Sequence, residues 1–165
     1  MTQITTPRLT LRKPQRADAP ALHRAMSEPA AMRYWTRPTH ETLAETENFL
    51  ASMIAADAAG GDEFVIEYQG EVIGKCGMWR RFEVGFLLNP AHWGKGLAHE
   101  AMAALIAHLF ATQATDHLSA EADPRNAASL GLLARLGFHE THRASRTMQW
   151  GEEWCDSIYL RLDRR

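Results

Sequence analysis

The chain has 165 residues, of which 45% are hydrophobic, as expected for one globular domain over residues 1–165 and not for a disordered segment. Its formal net charge of −2 gives no overall attraction to phosphate backbones or anionic lipid, which argues against nucleic acid and membrane surfaces as partners. No signal-like segment opens the chain, and no apolar run approaches the ~18 residues that a membrane span needs, so a cytoplasmic location is expected.

The first third of the chain is predicted to contain one strand and two helices. Residues 8–12 alternate polar and apolar side chains, as in a strand with one buried face. A first helix is predicted after the candidate cap Asp18, and a second over residues 41–57, ended by Gly60 and Gly61. The apolar stripe of this second helix consists of Leu43, Phe49, Leu50, Met53 and Ile54.

The middle of the chain is predicted to form a hairpin meander followed by a long helix. Three strand-like runs, 63–68, 72–79 and 82–88, are joined by tight links that favour antiparallel pairing. From Gly96 to Phe110, apolar pairs recur every four residues. This periodicity predicts a buried helix of about four turns.

The last part is predicted to contain a strand, a helix and a final hairpin. The strand covers residues 118–122, and the helix begins at the cap Asn126 and ends at Gly137. Two strands follow, at 145–150 and 154–162. Because helices are interleaved with a mostly antiparallel sheet and no repeat or linker interrupts the chain, the fold class is α/β (α+β) in a single domain.

Cysteine and histidine spacing does not indicate a metal site. Cys76 and Cys155 lie far apart in strand-like runs, so both are expected to be buried apolar residues. The closest histidine pairs lack a third ligand at a recurrent spacing, and we interpret them as polar surface or loop residues; they are His92 with His99, and His139 with His142. No metal is therefore expected.

The candidate ligand site is the loop at residues 93–98, where a strand leads into the long helix. Gly94 and Gly96 allow close backbone approach, and a helix N-terminus favours an anion such as a phosphate or pyrophosphate. A P-loop would need glycine where Asn89 stands, and a dinucleotide fingerprint would need glycine where His99 stands, so neither motif fits. On these residues alone, two glycines that merely shape the start of a helix are an equally good interpretation.

Several blocks in order resemble one known family. Residues 83–101, with the 93–98 loop among them, resemble the acetyl-CoA motif of the GNAT acetyltransferase superfamily. Residues 123–138 resemble the second coenzyme-binding block of its ribosomal-protein N-terminal acetyltransferase branch, and 6–12 and 154–159 also match this branch. The resemblance implies a GNAT-like fold with a splayed central strand pair and about four helices, as a monomer or homodimer. It also implies transfer of an acetyl group from the co-substrate acetyl-CoA to a primary amine.

The same resemblance implies roles for individual residues. The implied coenzyme-binding residues are Phe86, Leu87, Leu88, Trp93, Gly94, Lys95, Gly96, Leu97, Ala98, Asn126 and Ser129. Ser129 stands where the branch carries a serine able to protonate the departing thiolate, and Glu83 stands where several GNAT enzymes hold a general base. Glu121 and Asp156 are rival bases. Without the resemblance, Asn126 is simply a helix cap and Ser129 a solvated hydroxyl.

The acceptor is the part that the sequence leaves open. Tyr34 and Trp35, in the loop after the first helix, are expected to line the acceptor entrance. The five tryptophans are otherwise expected to pack in the core; they are Trp35, Trp79, Trp93, Trp150 and Trp154. Protein N-termini, polyamine-like metabolites and aminoglycosides are all possible acceptors. A noncatalytic acyl-CoA-binding module is the alternative function, followed by a phosphate- or nucleotide-binding domain unrelated to acyl transfer.

Overall fold

In a computed structural model, residues 2–165 are described, and eight strands of this part form one sheet with helices on both faces. The strands are β1 (Gln3–Thr5), β2 (Leu9–Arg12), β3 (Asp62–Tyr68), β4 (Glu71–Arg80), β5 (Glu83–Leu88), β6 (His117–Ala122), β7 (His139–Trp150) and β8 (Glu153–Asp163). The α-helices are α1 (Ala19–Met26), α2 (Pro29–Met32), α3 (Leu43–Ala56), α4 (Leu97–Thr112) and α5 (Ala127–Arg135). Short 3-10 turns precede α1, follow α3 and follow β5.

The sheet is antiparallel except at its centre. Its strand order is β1-β2-β3-β4-β5-β6-β8-β7, and β3 to β5 form the predicted meander, with β2 antiparallel to β3. The parallel pair β5 and β6 share one register position, Glu83 opposite Ser119. Beyond this position the two strands diverge toward their carboxyl ends, which confirms the expected splay of the central pair.

Two hydrophobic clusters pack on the two faces of the sheet. The larger one lies under α4 and α5 and contains Val84, Leu88, Ala120 and Ala122 from the splayed strands. The smaller one lies under α1 to α3 and contains Leu87 from β5. Side chains alternate between the two faces along a strand. Membership of one cluster or the other therefore shows to which face of the sheet each residue of β5 and β6 points.

The predicted helices form where their capping residues stand. Gly96 caps α4 in the left-handed conformation with φ of 75°, which glycine adopts without steric cost. Thr42 and Asn126 each accept a hydrogen bond from a backbone N–H of the first turn of α3 and α5, respectively. Asp18 does precede α1, but its carboxylate accepts from Arg12 and does not cap the helix.

Some predictions about burial and boundaries were wrong. Leu43 and Ile54 were placed on the buried stripe of α3, but they are 41% and 40% exposed, because this helix covers the sheet with a narrower face. Trp79, Trp93 and Trp154 are also exposed by about half, so they do not pack in the core. Neither β1 nor the short helix α2 was predicted, and β7 begins at His139, earlier than predicted.

Both cysteines are buried, as predicted. Burial raises the pKa of the Cys76 thiol to about 12, so this thiol stays protonated. Beside it, Lys75 and Glu63 form a buried ion pair with a 2.7 Å contact. Across residues 2–165, the helices are too short or too polar to cross a bilayer.

Candidate active site

A cavity of about 670 Å³ lies where β5 and β6 separate. Two regions far apart in sequence contribute to its wall: the loop ahead of α4 and the segment at residues 30–35 in and after α2. The splayed strands and the first turn of α5 supply the rest. Polar or charged residues in the lining are Arg33, Tyr34, Trp35, His92, Trp93, His99, Glu121, Asn126, Ser129 and Arg135.

The loop ahead of α4 presents backbone to the cavity. Gly94 and Gly96 both have φ of 75°. A Cβ built on Gly94 meets no described atom within 4 Å, and one on Gly96 meets only Arg8 Nη2 at 3.5 Å, so the space before both glycines is open. The first N–H groups of a helix have no partner inside it, and no side chain of residues 2–165 caps α4. This helix N-terminus is therefore suited to an anion.

Trp93 closes the base of the same loop. Its indole Nε1 donates to the Leu88 carbonyl at 2.9 Å, which ties the loop to the end of β5. Half of the residue is exposed, at 50%. The indole is therefore both a cavity wall and an anchor for the loop.

The loop is held from outside by what we call the Arg8 clamp, made of Thr6, Arg8 and Glu100. Arg8 donates to the Lys95 carbonyl at 2.8 Å and to Glu100 at 2.7 Å. Thr6 Oγ1 donates to Glu100 at 2.7 Å as well. Burial opposes ionisation of Glu100, but the hydrogen bonds from Thr6 and Arg8 outweigh it and hold its pKa below the ordinary value. The clamp thus joins the N-terminal strands to the glycine loop.

The start of α5 brings two polar side chains to the cavity. Asn126 Oδ1 accepts from the Ser129 backbone N–H at 3.2 Å, and Asn126 Nδ2 donates to Ser129 Oγ at 3.0 Å. Within the described chain, Ser129 Oγ only accepts, so its own hydrogen is available to a ligand. Asn126 is therefore a helix cap that also orients the Ser129 hydroxyl.

Of the described residues that line the cavity, Glu121 is the one that carries a carboxylate. Its neighbours Ala120 and Ala122 point into the cluster under α4, so Glu121 points to the opposite face, beside α2. Ser157 Oγ on β8 donates to Glu121 Oε1 at 2.5 Å, and the Thr147 hydroxyl bonds to Ser157 in turn. This chain of hydroxyls fixes the carboxylate at the splay.

The segment after α2 adds a cation and aromatic rings. The Arg33 guanidinium lies 5.0 Å from the Tyr34 ring centre and 5.3 Å from that of Trp150. Trp150 Nε1 donates to the Met32 carbonyl at 2.9 Å, so the β7–β8 hairpin holds this segment in place. Trp35 lines the cavity beside them.

Arg125 binds two carboxylates next to Arg33. It donates to Asp123 at 2.9 and 2.7 Å and to Glu153 at 2.7 Å. These hydrogen bonds from Arg125 lower the pKa of both acids. Arg33 Nη2, in contrast, contacts Glu153 at 3.5 Å, longer than the 2.7–2.9 Å of a charge-assisted hydrogen bond.

Most residues predicted from the sequence lie on this cavity. They are Tyr34, Trp35, Phe86, Leu87, Leu88, Trp93, Gly94, Gly96, Leu97, Ala98, Asn126 and Ser129. The Lys95 side chain does not line it, since its Nζ lies 6.0 Å from the Tyr68 ring centre, and Lys95 contributes only backbone to the loop.

Two of the three candidate bases lie outside the cavity lining. The Glu83 carboxylate accepts from Trp79 Nε1 at 2.9 Å and from Arg80 at 3.0 Å. Asp156 is exposed and accepts from the Arg146 backbone N–H at 2.9 Å. The structure therefore brings Glu121, and neither of these two, together with the glycine loop and Ser129.

Sequence reasoning missed Arg33, His92 and His99 as cavity residues. The two histidines were interpreted as surface or loop residues, although they flank the glycine loop. For Arg33, the available signal was its position directly before two aromatic residues in a loop, where a guanidinium can stack. Within residues 2–165, His, Cys, Asp and Glu side chains do not gather in threes as a metal site requires.

Comparison with known proteins agrees with this arrangement. Residues 8–139 match the family model described as Acetyltransferase (GNAT) domain. The uncharacterized N-acetyltransferase p20 of Bacillus licheniformis is 30% identical over 149 residues, 85% of this chain and 84% of that protein. The L-methionine sulfoximine/L-methionine sulfone acetyltransferase of Salmonella typhimurium is 28% identical over 165 residues, 93% of this chain and 94% of that protein. The [ribosomal protein uS5]-alanine N-acetyltransferase of Escherichia coli is 33% identical over 79 residues, 48% of this chain and 41% of that protein.

Solved structures share the whole fold. A GNAT-family acetyltransferase from Bacillus anthracis aligns with a TM-score of 0.85 and 24% identity over 98% of both chains. RimL, a ribosomal L7/L12 α-N-protein acetyltransferase in complex with coenzyme A, aligns with a TM-score of 0.85 and 17% identity over 98% of both chains.

Proposed function

This chain belongs to the acetyltransferase (GNAT) domain family and is an N-acetyltransferase; from that premise, we propose that it moves the acetyl group of acetyl-CoA to a primary amine in the cavity between β5 and β6. One observation carries the proposal. A single cavity contains an open glycine loop at a helix N-terminus and, at the strand splay, a carboxylate held by a hydroxyl. Acyl transfer to an amine needs an anchor for the coenzyme and a group that takes a proton.

The loop at residues 93–98 is proposed to hold the coenzyme pyrophosphate. Its support is geometric, because both glycines line the cavity in the left-handed conformation and α4 begins directly after them. The edge of β5 beyond Glu83 faces no paired strand, so backbone groups of Phe86 to Leu88 are proposed to bind the pantetheine arm. A structural neighbour, RimL, holds coenzyme A in the same fold.

Glu121 is proposed as the general base. Bound acetyl-CoA would supply a thioester whose carbonyl carbon a neutral amine attacks. Glu121 accepts the proton that the amine loses, directly or through a water, and Ser157 keeps the carboxylate oriented. Glu83, the base first predicted, is the rival, but its carboxylate is engaged by Trp79 and Arg80 outside the lining.

Ser129 is proposed as the general acid. As the carbon–sulfur bond breaks, its hydroxyl donates a proton to the leaving sulfur, while Asn126 holds the oxygen. The products are an N-acetylated amine and coenzyme A. Since no covalent bond to the protein forms, both substrates must be bound together, and positioning supplies much of the rate.

The test is a turnover assay with acetyl-CoA and a panel of peptides, amino acids and small amines, read by mass spectrometry of the acceptor. We expect a mass gain of one acetyl group on at least one amine, with release of an equal amount of coenzyme A. Tight binding of acetyl-CoA without any acetylated product would instead identify a noncatalytic acyl-CoA-binding module.

A further inference from the structure

Arg33 is a cation on the cavity wall that is only weakly paired, since its contact with Glu153 is 3.5 Å long. Of its nitrogens within residues 2–165, Nη2 makes this long contact, whereas Nη1 is shielded from solvent and has no hydrogen-bonding partner. Buried donors are almost always satisfied in native proteins. A guanidinium that lines a cavity with one long ion-pair contact and one unsatisfied nitrogen is therefore a candidate for binding an anionic ligand.

The neighbouring Arg125 shows what a satisfied guanidinium looks like in the same place. It donates to Asp123 through two nitrogens and to Glu153 through a third. Glu153 is thereby engaged at 2.7 Å by Arg125 and lies 3.5 Å from Arg33. Both acids of this region accept short hydrogen bonds from Arg125, and Arg33 is left with the longer contact to Glu153.

Aromatic rings fix the orientation of Arg33. Its guanidinium lies close to the rings of Tyr34 and Trp150, and 40% of its side chain is exposed. Such contacts hold a guanidinium plane without using its N–H groups. The fork of donors is thus pre-oriented, which favours a planar, two-oxygen anion.

Arg33 and Glu121 carry opposite charges, and both line the same cavity. Glu121 points to the face of the sheet where α2 packs. A molecule with an ammonium group and a carboxylate is complementary in charge to these two residues.

We propose that Arg33 binds a carboxylate of the acceptor, so that the substrate class is a zwitterionic amine such as an amino acid. This inference rests on the proposed function, since it names the acceptor of that reaction. The guanidinium donates two parallel hydrogen bonds to the carboxylate, and the amine is thereby directed toward Glu121. Arg33 determines specificity and takes no proton.

The experiment compares each standard amino acid with its carboxamide, which keeps the amine and side chain but loses the negative charge. Steady-state kcat and KM are measured for the parent, Arg33→Gln and Arg33→Lys, with Arg24→Gln as control. Arg24 pairs with Glu71 on the exposed surface, outside the cavity lining. Melting temperature and acetyl-CoA affinity verify that each variant is folded.

For the parent, we expect kcat/KM to favour the free acid by about tenfold to a hundredfold, the range for loss of a hydrogen bond to a charged group. Arg33→Gln should remove this preference by raising KM for the acid while leaving the carboxamide unchanged. Arg33→Lys should keep part of it, because the charge remains but the fork is lost.

Three outcomes would overturn the inference. The first is that the parent uses carboxamides as well as or better than the free amino acids. The second is that it acetylates only amines without a carboxylate. The third is that Arg33→Gln lowers kcat/KM equally for an amino acid and its carboxamide. If the parent acetylated no amine at all, the proposed function itself would fail, and that result is distinct from all three.

Discussion

The two sides of the cavity are built on different principles. The coenzyme side, residues 93–98, presents backbone from a loop whose glycines have a fixed left-handed geometry and which the Arg8 clamp ties down. The acceptor side, with Arg33 and Glu121, presents side chains that depend on partners from distant strands. We therefore expect the coenzyme side to tolerate little change in its backbone. We expect the acceptor side to tolerate little change in its charges.

The largest effect is expected on the coenzyme side. Gly96→Val should abolish acetyl-CoA binding, since a β-branched residue is strained at φ of 75° and would shift the loop backbone that lines the cavity. The measurements are calorimetric affinity and the thermal shift produced by acetyl-CoA.

Gly70→Val is the matched control for this change. Gly70 lies in the β3–β4 turn with φ of 79°, and a Cβ built on it meets no described atom within 4 Å. The valine therefore introduces similar backbone strain away from the cavity. It should lose stability but keep acetyl-CoA affinity. Parent-like binding by Gly96→Val would show that the pyrophosphate lies elsewhere.

The next effect is expected at the acceptor side. Glu121→Gln should lower kcat by ~10²–10⁴-fold at neutral pH, the usual contribution of a general base, with partial recovery at high pH as the free amine becomes abundant. Acetyl-CoA affinity should change little. Glu83→Gln provides the comparison, because it makes the same chemical change outside the lining and should retain near-parent turnover. A large defect in Glu83→Gln with a normal Glu121→Gln would reverse the assignment.

A smaller loss is expected where the two sides meet. Ser129→Ala should reduce kcat by less than ~10²-fold, because water can replace a single proton donor. The Asn126 cap survives, since its Oδ1 accepts from the Ser129 backbone. Kinetics over a range of acetyl-CoA concentrations separate the roles. An increase in KM with unchanged kcat would assign Ser129 to coenzyme binding instead.

The smallest effect concerns the Arg8 clamp. Arg8→Gln should weaken acetyl-CoA binding by no more than about fivefold, since a partly exposed ion pair contributes only about 1 kcal/mol or less. Because the pKa of Glu100 is lowered in the folded state, the ion pair stabilises the protein above the ordinary glutamate pKa and is lost as pH falls through the lowered value.

Melting temperatures measured from neutral pH down into this acid range test the clamp. Glu100→Gln should melt at a lower temperature than the parent near neutral pH, and the difference should shrink in acid. A pH-independent difference would mean that packing, and not the ionised pair, connects the clamp to the loop.

The coenzyme side could be predicted from the sequence because its determinants are local. Gly94 and Gly96 lie at the start of a strongly periodic helix, and Asn126 stands directly before α5. Local signals of this kind identify a helix N-terminus and a cap without knowledge of the fold. The same locality explains why the meander β3 to β5 and the order of the longer elements were predicted, whereas the short β1 and α2 were not.

The acceptor side depends on contacts that no local pattern encodes. Arg33 follows Met32, whose carbonyl accepts a hydrogen bond from the Trp150 indole. Met32 and Trp150 are 118 residues apart in the sequence. Glu121 and Glu83 each lie on a strand of the splay, and only the pairing of β6 with β8 places Ser157 beside Glu121. The burial predicted for Trp79, Trp93 and Trp154 was wrong for a similar reason. Tertiary packing decides which residues lie at edges and turns of the sheet.

The exposure of Trp93 gives the protein an optical reporter of ligand binding. Its indole stands beside the glycine loop at half exposure, whereas Trp35 lines the cavity beside Arg33. Removing the exposed indoles outside the lining by Trp79→Phe and Trp154→Phe would leave fluorescence that is more sensitive to the cavity. A blue shift from Trp93 on addition of coenzyme, and a separate change from Trp35 on addition of the amine, would then report the order in which the two substrates bind.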